Sequence, residues 1–343
     1  MDWSQLTPGV GLVLLLVLAA EASNGWTDAP CATSAAVATG VLSSRQALRL
    51  TAVGNLVGIL LALLVGAKVA TTIGTGIVRP ELISINSIGL AMIVIIVWAA
   101  IAAWLGLPIS KTHSLLASLA GIGYAQGGFE ALMPTSGHLR DSGWVQAGIG
   151  VFLAIICGSA FSWFLSRVAI NSGISEKIPE RWWEKLQLFT VCGVASGHGF
   201  NDGLKYIGVF TLVLFKSGVI QTFHVMPPVV VLCAVVMGAG TLVGGWRIHR
   251  RLNGMVNNQS ESDTQKRSFK PFMGVSTELV SAFLIWQTGW LGIPMSTNHG
   301  VVSAMAGAKS ASGRVHAGSI VRIVWGWVVT YVFCFFVAFS IAS

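Results

Sequence analysis

The sequence predicts an all-α polytopic membrane protein arranged as an inverted-topology repeat. Three observations carry this. Charged residues make up 10% of the 343 positions, against about 25% in a soluble domain, and the mean hydropathy is +0.74. Long stretches such as Leu82–Ser110, Ser217–Trp246 and Leu279–Ala308 contain no Asp, Glu, Lys or Arg over spanning length or more. About 20 such residues cross a bilayer. Distinctive segments also recur in the same order along the chain. Soluble enzymes, secreted disulfide scaffolds and nucleic-acid binders are excluded, and a multi-pass protein of the cell membrane is expected.

From the N-terminus, the apolar run from Gly9 to Ala20 is followed by small residues, as in a signal peptide. Only Asp2 stands where a positive leader would be, so the run reads as a retained first helix starting outside the cell. SNGWTD (23–28) then pairs loosely with SGHGFND (196–202), and GLPISKTH (106–113) pairs closely with GIPMSTNH (292–299). Between them GAKV (66–69) echoes GAGT (238–241). The first pair is offset by 174 residues and the last by 186, the difference being assigned to a hydrophilic loop at 247–270. This divides the chain into a first repeat over 1–166, a connecting segment over 167–187 and a second repeat over 188–343.

Loop charges orient the halves. Arg45 and Arg49 follow the first motif with no acid nearby, whereas the equivalent connection around Lys216–His224 has one Lys. The next connection is nearly neutral in the first half (Arg79, Glu81) and strongly basic in the second. By the positive-inside rule, equivalent loops then lie on opposite faces, which is an inverted repeat. The basic segment Arg247–Lys270 is placed in the cytoplasm and assigned to topology alone. The five cysteines stand singly and read as small apolar helix residues, with no metal site or disulfide framework.

Charge inside apolar sequence marks the candidate site, because a carboxylate at the bilayer centre costs at least ~2.5 kcal/mol and persists where it faces a polar cavity. Asp28 and Asp202 occupy equivalent repeat positions and are assigned to the transport pathway, against the alternative that each caps a helix near the interface. Glu278 precedes a long uncharged run and has no acidic partner in the equivalent region, read as 53–58, which fits a coupling-ion ligand present in one half only. Glu21 is read as interfacial, and Lys68, Lys111 and Lys205 as snorkelling structural residues. In both GLPISKTH and GIPMSTNH a helix breaker precedes hydroxyls: Ser110, Thr112 and Ser114, then Ser296, Thr297 and Asn298. A helix restarting at membrane depth presents free N–H groups and a positive partial charge, an anion site, and two from inverted halves would cradle one small oxyanion. The alternative is a kinked helix whose hydroxyls satisfy freed backbone groups. His113 and His299 read as packed or hydrogen-bonding residues.

These segments resemble the inorganic phosphate transporter (PiT) family, which includes sulfate permeases. The resemblance covers nearly the whole chain through GWTDAP (25–30), VATGVLSSRQAL (37–48), GAKVATTIGTGI (66–77), GLPISKTH, GHGFND with YIGVFTLVL (206–214), TLVGGWR (241–247) and GIPMSTNH. It implies a dimeric inverted-repeat transporter of ten to twelve helices with two re-entrant hairpins, carrying inorganic phosphate by symport with sodium or protons, at times as a metal–phosphate complex. The family's paired Asn-Asp signature falls on Thr27-Asp28 and Asn201-Asp202, its hairpin hydroxyls on Ser110, Thr112, Ser296 and Thr297, and its late carboxylate on Glu278. Substrate contacts are therefore expected from Thr27, Asp28, Ser110, Thr112, Asn201, Asp202, Ser296, Thr297 and Asn298, and coupling-ion contacts from Asp28, Asn201, Asp202 and Glu278. No cofactor beyond the coupling cation and no resident metal beyond sodium is expected; lipid and a second copy are the partners. Thr27, Cys31, Leu204, Asn298 and Lys111 depart from the family pattern close to the site.

Phosphate at neutral pH keeps a proton that carboxylates can accept, and sulfate has none, so Asp28 and Asp202 favour phosphate over sulfate. Sodium and proton coupling both remain open. A channel would share the broken helices and hydroxyl lining. An enzyme is disfavoured: Ser196-Gly197-His198 is poor nucleophile geometry, and the chain has no phosphate-binding loop for ATP.

Overall fold

The computed structural model describes residues 2–132, 142–257, 268–313 and 315–343, and every regular element among them is helical. In chain order these are α1 (Pro8–Thr27), the short α2 (Ala29–Ala32) and α3 (Ser34–Thr39), α4 (Ser44–Val65), α5 (Lys68–Gly76), α6 (Ile85–Leu105) and α7 (Lys111–Gly127). There follow α8 (Gly143–Phe152), α9 (Gly158–Asn171), the short α10 (Ile174–Lys177), α11 (Glu180–His198), α12 (Leu204–Lys216), α13 (Pro227–Leu242), α14 (Trp246–Val256), α15 (Pro271–Leu291), α16 (Thr297–Ser310) and α17 (Ala317–Ala342). A π-helical turn at Leu153–Cys157 joins α8 to α9, and another at Gly199–Gly203 joins α11 to α12.

Five described segments are long and apolar enough to cross a membrane alone: Pro8–Ala32, Ser44–Val65, Ile85–Leu105, Gly143–Asn171 and Ala317–Ala342. A sixth arises if α13 and α14, bent by 68°, count as one. This is fewer than the ten to twelve implied by the resemblance. Helices α7, α11, α12, α15 and α16 fall outside this set, and each carries buried polar groups.

Local chemistry explains the ends. Thr7 caps α1 with Pro8 at its first position, and Ser43 with Gln46 forms a capping box on α4. The two hairpins are built alike. Helices α6 and α15 both stop at a left-handed glycine, Gly106 (φ 66°) and Gly292 (φ 81°). The Leu107 N–H bonds the Ala102 carbonyl at 2.9 Å, and the Ile293 N–H bonds the Thr288 carbonyl at 2.8 Å, a Schellman ending in each copy. The chain then runs extended to Ser110 or Ser296, whose hydroxyl caps α7 or α16. Both hairpins are antiparallel: Gln126 near the end of α7 bonds Ser84 and Ser87 at the start of α6, and Lys309 near the end of α16 bonds the Ser268 carbonyl ahead of α15.

Packing repeats as well. Helix α7 lies along α17 while α16 lies along α9, so each hairpin helix packs on the last span of the other half; α1 lies on α13 as α11 lies on α4. The structure refines the sequence boundaries. Segment 167–187, the expected connection between the halves, comprises the end of α9 (to Asn171), the short α10 and the start of α11 (from Glu180). The supposed loop 247–270 begins as α14, which buries Ile248, His249, Leu252, Met255 and Val256; positions 258–267 lie outside the described residues. Arg247 and Arg251 donate to the Trp104 and Leu105 carbonyls at 3.0 and 3.3 Å, capping the end of α6. GAKV opens α5, whereas GAGT lies inside α13, so that echo joins non-equivalent positions.

Close approach of backbones centres on the π turn at Gly199–Gly203. A Cβ at Gly58 would meet the Ser196 carbonyl and the Phe200 N–H, and one at Gly199 would meet the Asn55 backbone, so α4 and this turn touch main chain to main chain as small residues allow. Gly58→Val should cost about 1–3 kcal/mol of overpacking, read as a lowered unfolding midpoint of the detergent-solubilised protein. Gly11→Val, where nothing lies within 4 Å of the added carbon, should leave the midpoint unchanged.

Candidate functional site

The N-termini of α7 and α16 meet at the centre of the molecule. Ser110 Oγ and Ser296 Oγ hydrogen-bond each other at 2.9 Å while each caps its own helix. One turn on, the rings of His113 and His299 lie 4.5 Å apart, with Tyr331 against the first and Trp327 against the second. The first N–H groups of both helices have no intrahelical acceptor, so two positive helix ends face one region.

Asp28 and Asp202 come to that region from the two halves of the chain, and ligand atoms of Asp28, His198 and Asp202 all lie within 4.8 Å of one another. Neither aspartate caps a helix with its side chain. Asp28 occupies the break between α1 and α2, and Asp202 lies inside the π turn of the continuous α11–α12 rod. The hairpin residues cross over to meet them. Asn298, from the second half, donates to Asp28 and to the Ile109 carbonyl. Thr112, its counterpart 186 positions earlier, donates to Asp202 at 3.4 Å. Thr297 also donates its hydroxyl to Asp202.

Asn201 bonds Thr288 Oγ1 at 3.1 Å and the Ile293 carbonyl at 3.2 Å, tying the π turn to the end of α15. Thr27 spends its hydroxyl on the Ser23 carbonyl of its own helix at 2.8 Å. Of the expected site residues, Asp28, Ser110, Thr112, Asn201, Asp202, Ser296, Thr297 and Asn298 converge, with Thr27 alongside. Glu278 does not join them. It is buried between Gln187 (3.0 Å) and Thr190 (2.6 Å), about ten residues and ~15 Å along α15 from Thr288. Counting back from the hairpin motif pairs Glu278 with Met92 rather than with 53–58, and Met92 still leaves the carboxylate one-sided.

Sequence reasoning missed both lysines. Lys111 and Lys205 are 1% exposed and do not snorkel. Lys205 forms an ion pair with Asp202 and bonds Thr112 Oγ1 and the Met295 carbonyl, each at 2.6 Å. Lys111 reaches Ser23 Oγ at 3.2 Å and lies near the Asp28 charge. Glu21 is likewise buried, with Asn24 3.5 Å away, instead of interfacial. His198 faces Asp202 at 3.5 Å and bonds Asn55 at 2.7 Å. The i,i+3 spacing of Asp202 and Lys205 and the i,i+4 spacing of His198 and Asp202 on one helix were the available signals.

Chemically the site is a buried cluster of two aspartates, two ammonium groups and two helix N-termini. Among the described residues Asp28 Oδ2, Glu21 Oε1, Asn24 Oδ1, Asn201 Oδ1 and Asn298 Oδ1 are buried oxygens without a partner, and the Lys111 ammonium has N–H groups to spare. The cluster can therefore offer both donors and acceptors to a small oxyanion that carries a proton. Ser296→Ala should remove a cap worth about 0.5–2 kcal/mol, and Ser110→Ala a similar amount, each seen as a lowered unfolding midpoint in detergent.

A model of the phosphate transporter family matches residues 24–177 and 167–338. A protein of Rhizobium meliloti named "Probable low-affinity inorganic phosphate transporter" is 30% identical over 94% of this chain and 91% of its own length. One of the same name from Mycobacterium bovis is 32% identical over 93% of this chain and 73% of its own. Among solved structures, one titled "The sodium-dependent phosphate transporter" superposes with a TM-score of 0.78 over 98% of both chains at 18% identity, which speaks for the fold. With matched segments that include both Asp-bearing motifs and both hairpins, the chain belongs to the phosphate transporter family.

Proposed function

We propose that this multi-pass membrane protein is a secondary transporter that imports inorganic phosphate across the cell membrane by symport with sodium or protons, working as a homodimer of inverted repeats. The observation that carries the reading is the crossed pairing of Asp28 with Asn298 and of Asp202 with Thr112. Each half holds the other's carboxylate beside a helix N-terminus, so one anion placed there touches both halves. A substrate bound between two halves that can rock against each other is the geometry of alternating access. Family membership and the named relatives support phosphate as the anion.

Sulfate is the second reading. The buried acceptors on Asp28, Asn201 and Asn298 favour an anion that still carries a proton, and leaving such acceptors unpaired penalises an analogue without one. In proteoliposomes, labelled phosphate uptake should be driven by an imposed sodium or proton gradient, saturate, and resist excess unlabelled sulfate. Labelled sulfate entering in place of phosphate would reverse the choice, and flux that does not saturate would mean a channel. Asp28→Asn and Asp202→Asn should each abolish uptake while the protein still inserts; near-normal uptake in both variants would overturn the site assignment.

A further inference from the structure

The structural neighbour's title names sodium, and a sodium ion seeks hard oxygen ligands. Around Asp202 such ligands are present: its own carboxylate, the Thr112 hydroxyl and the Met295 backbone carbonyl. All three converge on one point, and that point is the Lys205 Nζ. An ammonium has three N–H donors and no acceptor. Lys205 has a partner for each, so none remains for a substrate anion. Carboxylate, hydroxyl and carbonyl oxygens gathered on a single centre make a cation cage, and here the cation is part of the chain. Sodium does not fit there while Lys205 holds the position.

Comparison within the chain sharpens this. The 174-residue offset of the Asp motifs pairs Lys205 with Cys31, which is fully buried and apolar. The Asp28 side therefore has no equivalent tethered cation at that place. Its nearby ammonium is Lys111, whose counterpart 186 positions on is Thr297. Among the described residues the Lys111 ammonium makes one hydrogen bond, to Ser23, and keeps donors free. The two lysines thus divide the work: Lys111 can face an anion, while Lys205 is committed to the Asp202 cage.

We propose that the Lys205 ammonium replaces a coupling sodium ion at Asp202, so that this chain carries its anion without sodium. The two buried ammonium groups and the two helix N-termini already face the aspartates, and a further cation would add to their positive field. This rests on the phosphate reading above for its transport arm only. Replacing the lysine with a short side chain leaves the carboxylate, hydroxyl and carbonyl in place and opens the cage to a free ion.

The experiment compares wild type with Lys205→Ala and Lys205→Ser in two ways. Uptake of labelled phosphate into proteoliposomes is measured in sodium chloride and in choline chloride at a fixed proton gradient. Binding of radioactive sodium, and the shift of the unfolding midpoint with added sodium chloride, are measured on the purified proteins. Wild-type uptake should be the same in both salts; each variant should lose uptake in choline and recover it in sodium. The variants should also bind sodium and be stabilised by it where wild type is not. Wild-type uptake that requires sodium would overturn the proposal, as would variants that bind no more sodium than wild type. If neither variant folds, sodium binding and sodium stabilisation of wild type decide alone, their presence counting against it. If wild type carries no phosphate at all, the transport reading fails, and the sodium-binding arm still decides the role of Lys205.

Discussion

A carboxylate buried among helices has no water to turn to, and the structure is organised around that constraint. Asp202 is met by a lysine, two hydroxyls and a histidine from α7, α11, α12 and α16. Asp28 is met by Asn298 from the opposite half. Removing one member of a buried ion pair costs about 3–5 kcal/mol because the other is stranded, so the segments bearing these partners are held in register by the charge they surround. The hairpins must restart at the centre, because their N-terminal residues supply the donors.

Close backbone approach accounts for the glycines around the site. The π turn carrying Asp202 packs directly on α4, where Gly58 and Gly199 permit the backbones to touch. The π turn itself turns Asn201 toward the end of α15 and Asp202 toward the hairpin tips within one rod. Such turns often mark functional positions because they shift side chains out of helical register.

The two halves share a frame but differ in chemistry. Schellman endings, serine caps and paired histidines recur in both, and the serines and histidines meet their counterparts directly. The ammonium groups break the symmetry: Lys205 stands opposite Cys31, and Lys111 opposite Thr297. Glu278 breaks it too, in a separate polar cluster with Gln187 and Thr190. A repeat supplies the cradle, and these unmatched residues are what can set which ions enter it.

By itself the sequence determined the helical membrane class, the internal repeat, and most of the polar residues at the centre. Composition and the uncharged runs report partition into lipid, which each segment settles alone. The doubled motifs made Asp28, Asp202, Ser110 and Ser296 legible, since a chance pattern does not recur in the same order. What only the tertiary structure decided was how groups far apart in sequence meet. Snorkelling is the default for a lysine near a helix end; Lys111 departs from it because packing places Asp28 nearby, and Lys205 because Thr112 and Met295 of the two hairpins close over the Asp202 three residues before it. Glu21 and Glu278 show the converse. One proves buried and the other stands apart from the site, because burial and distance are set by packing between helices, which no local pattern encodes.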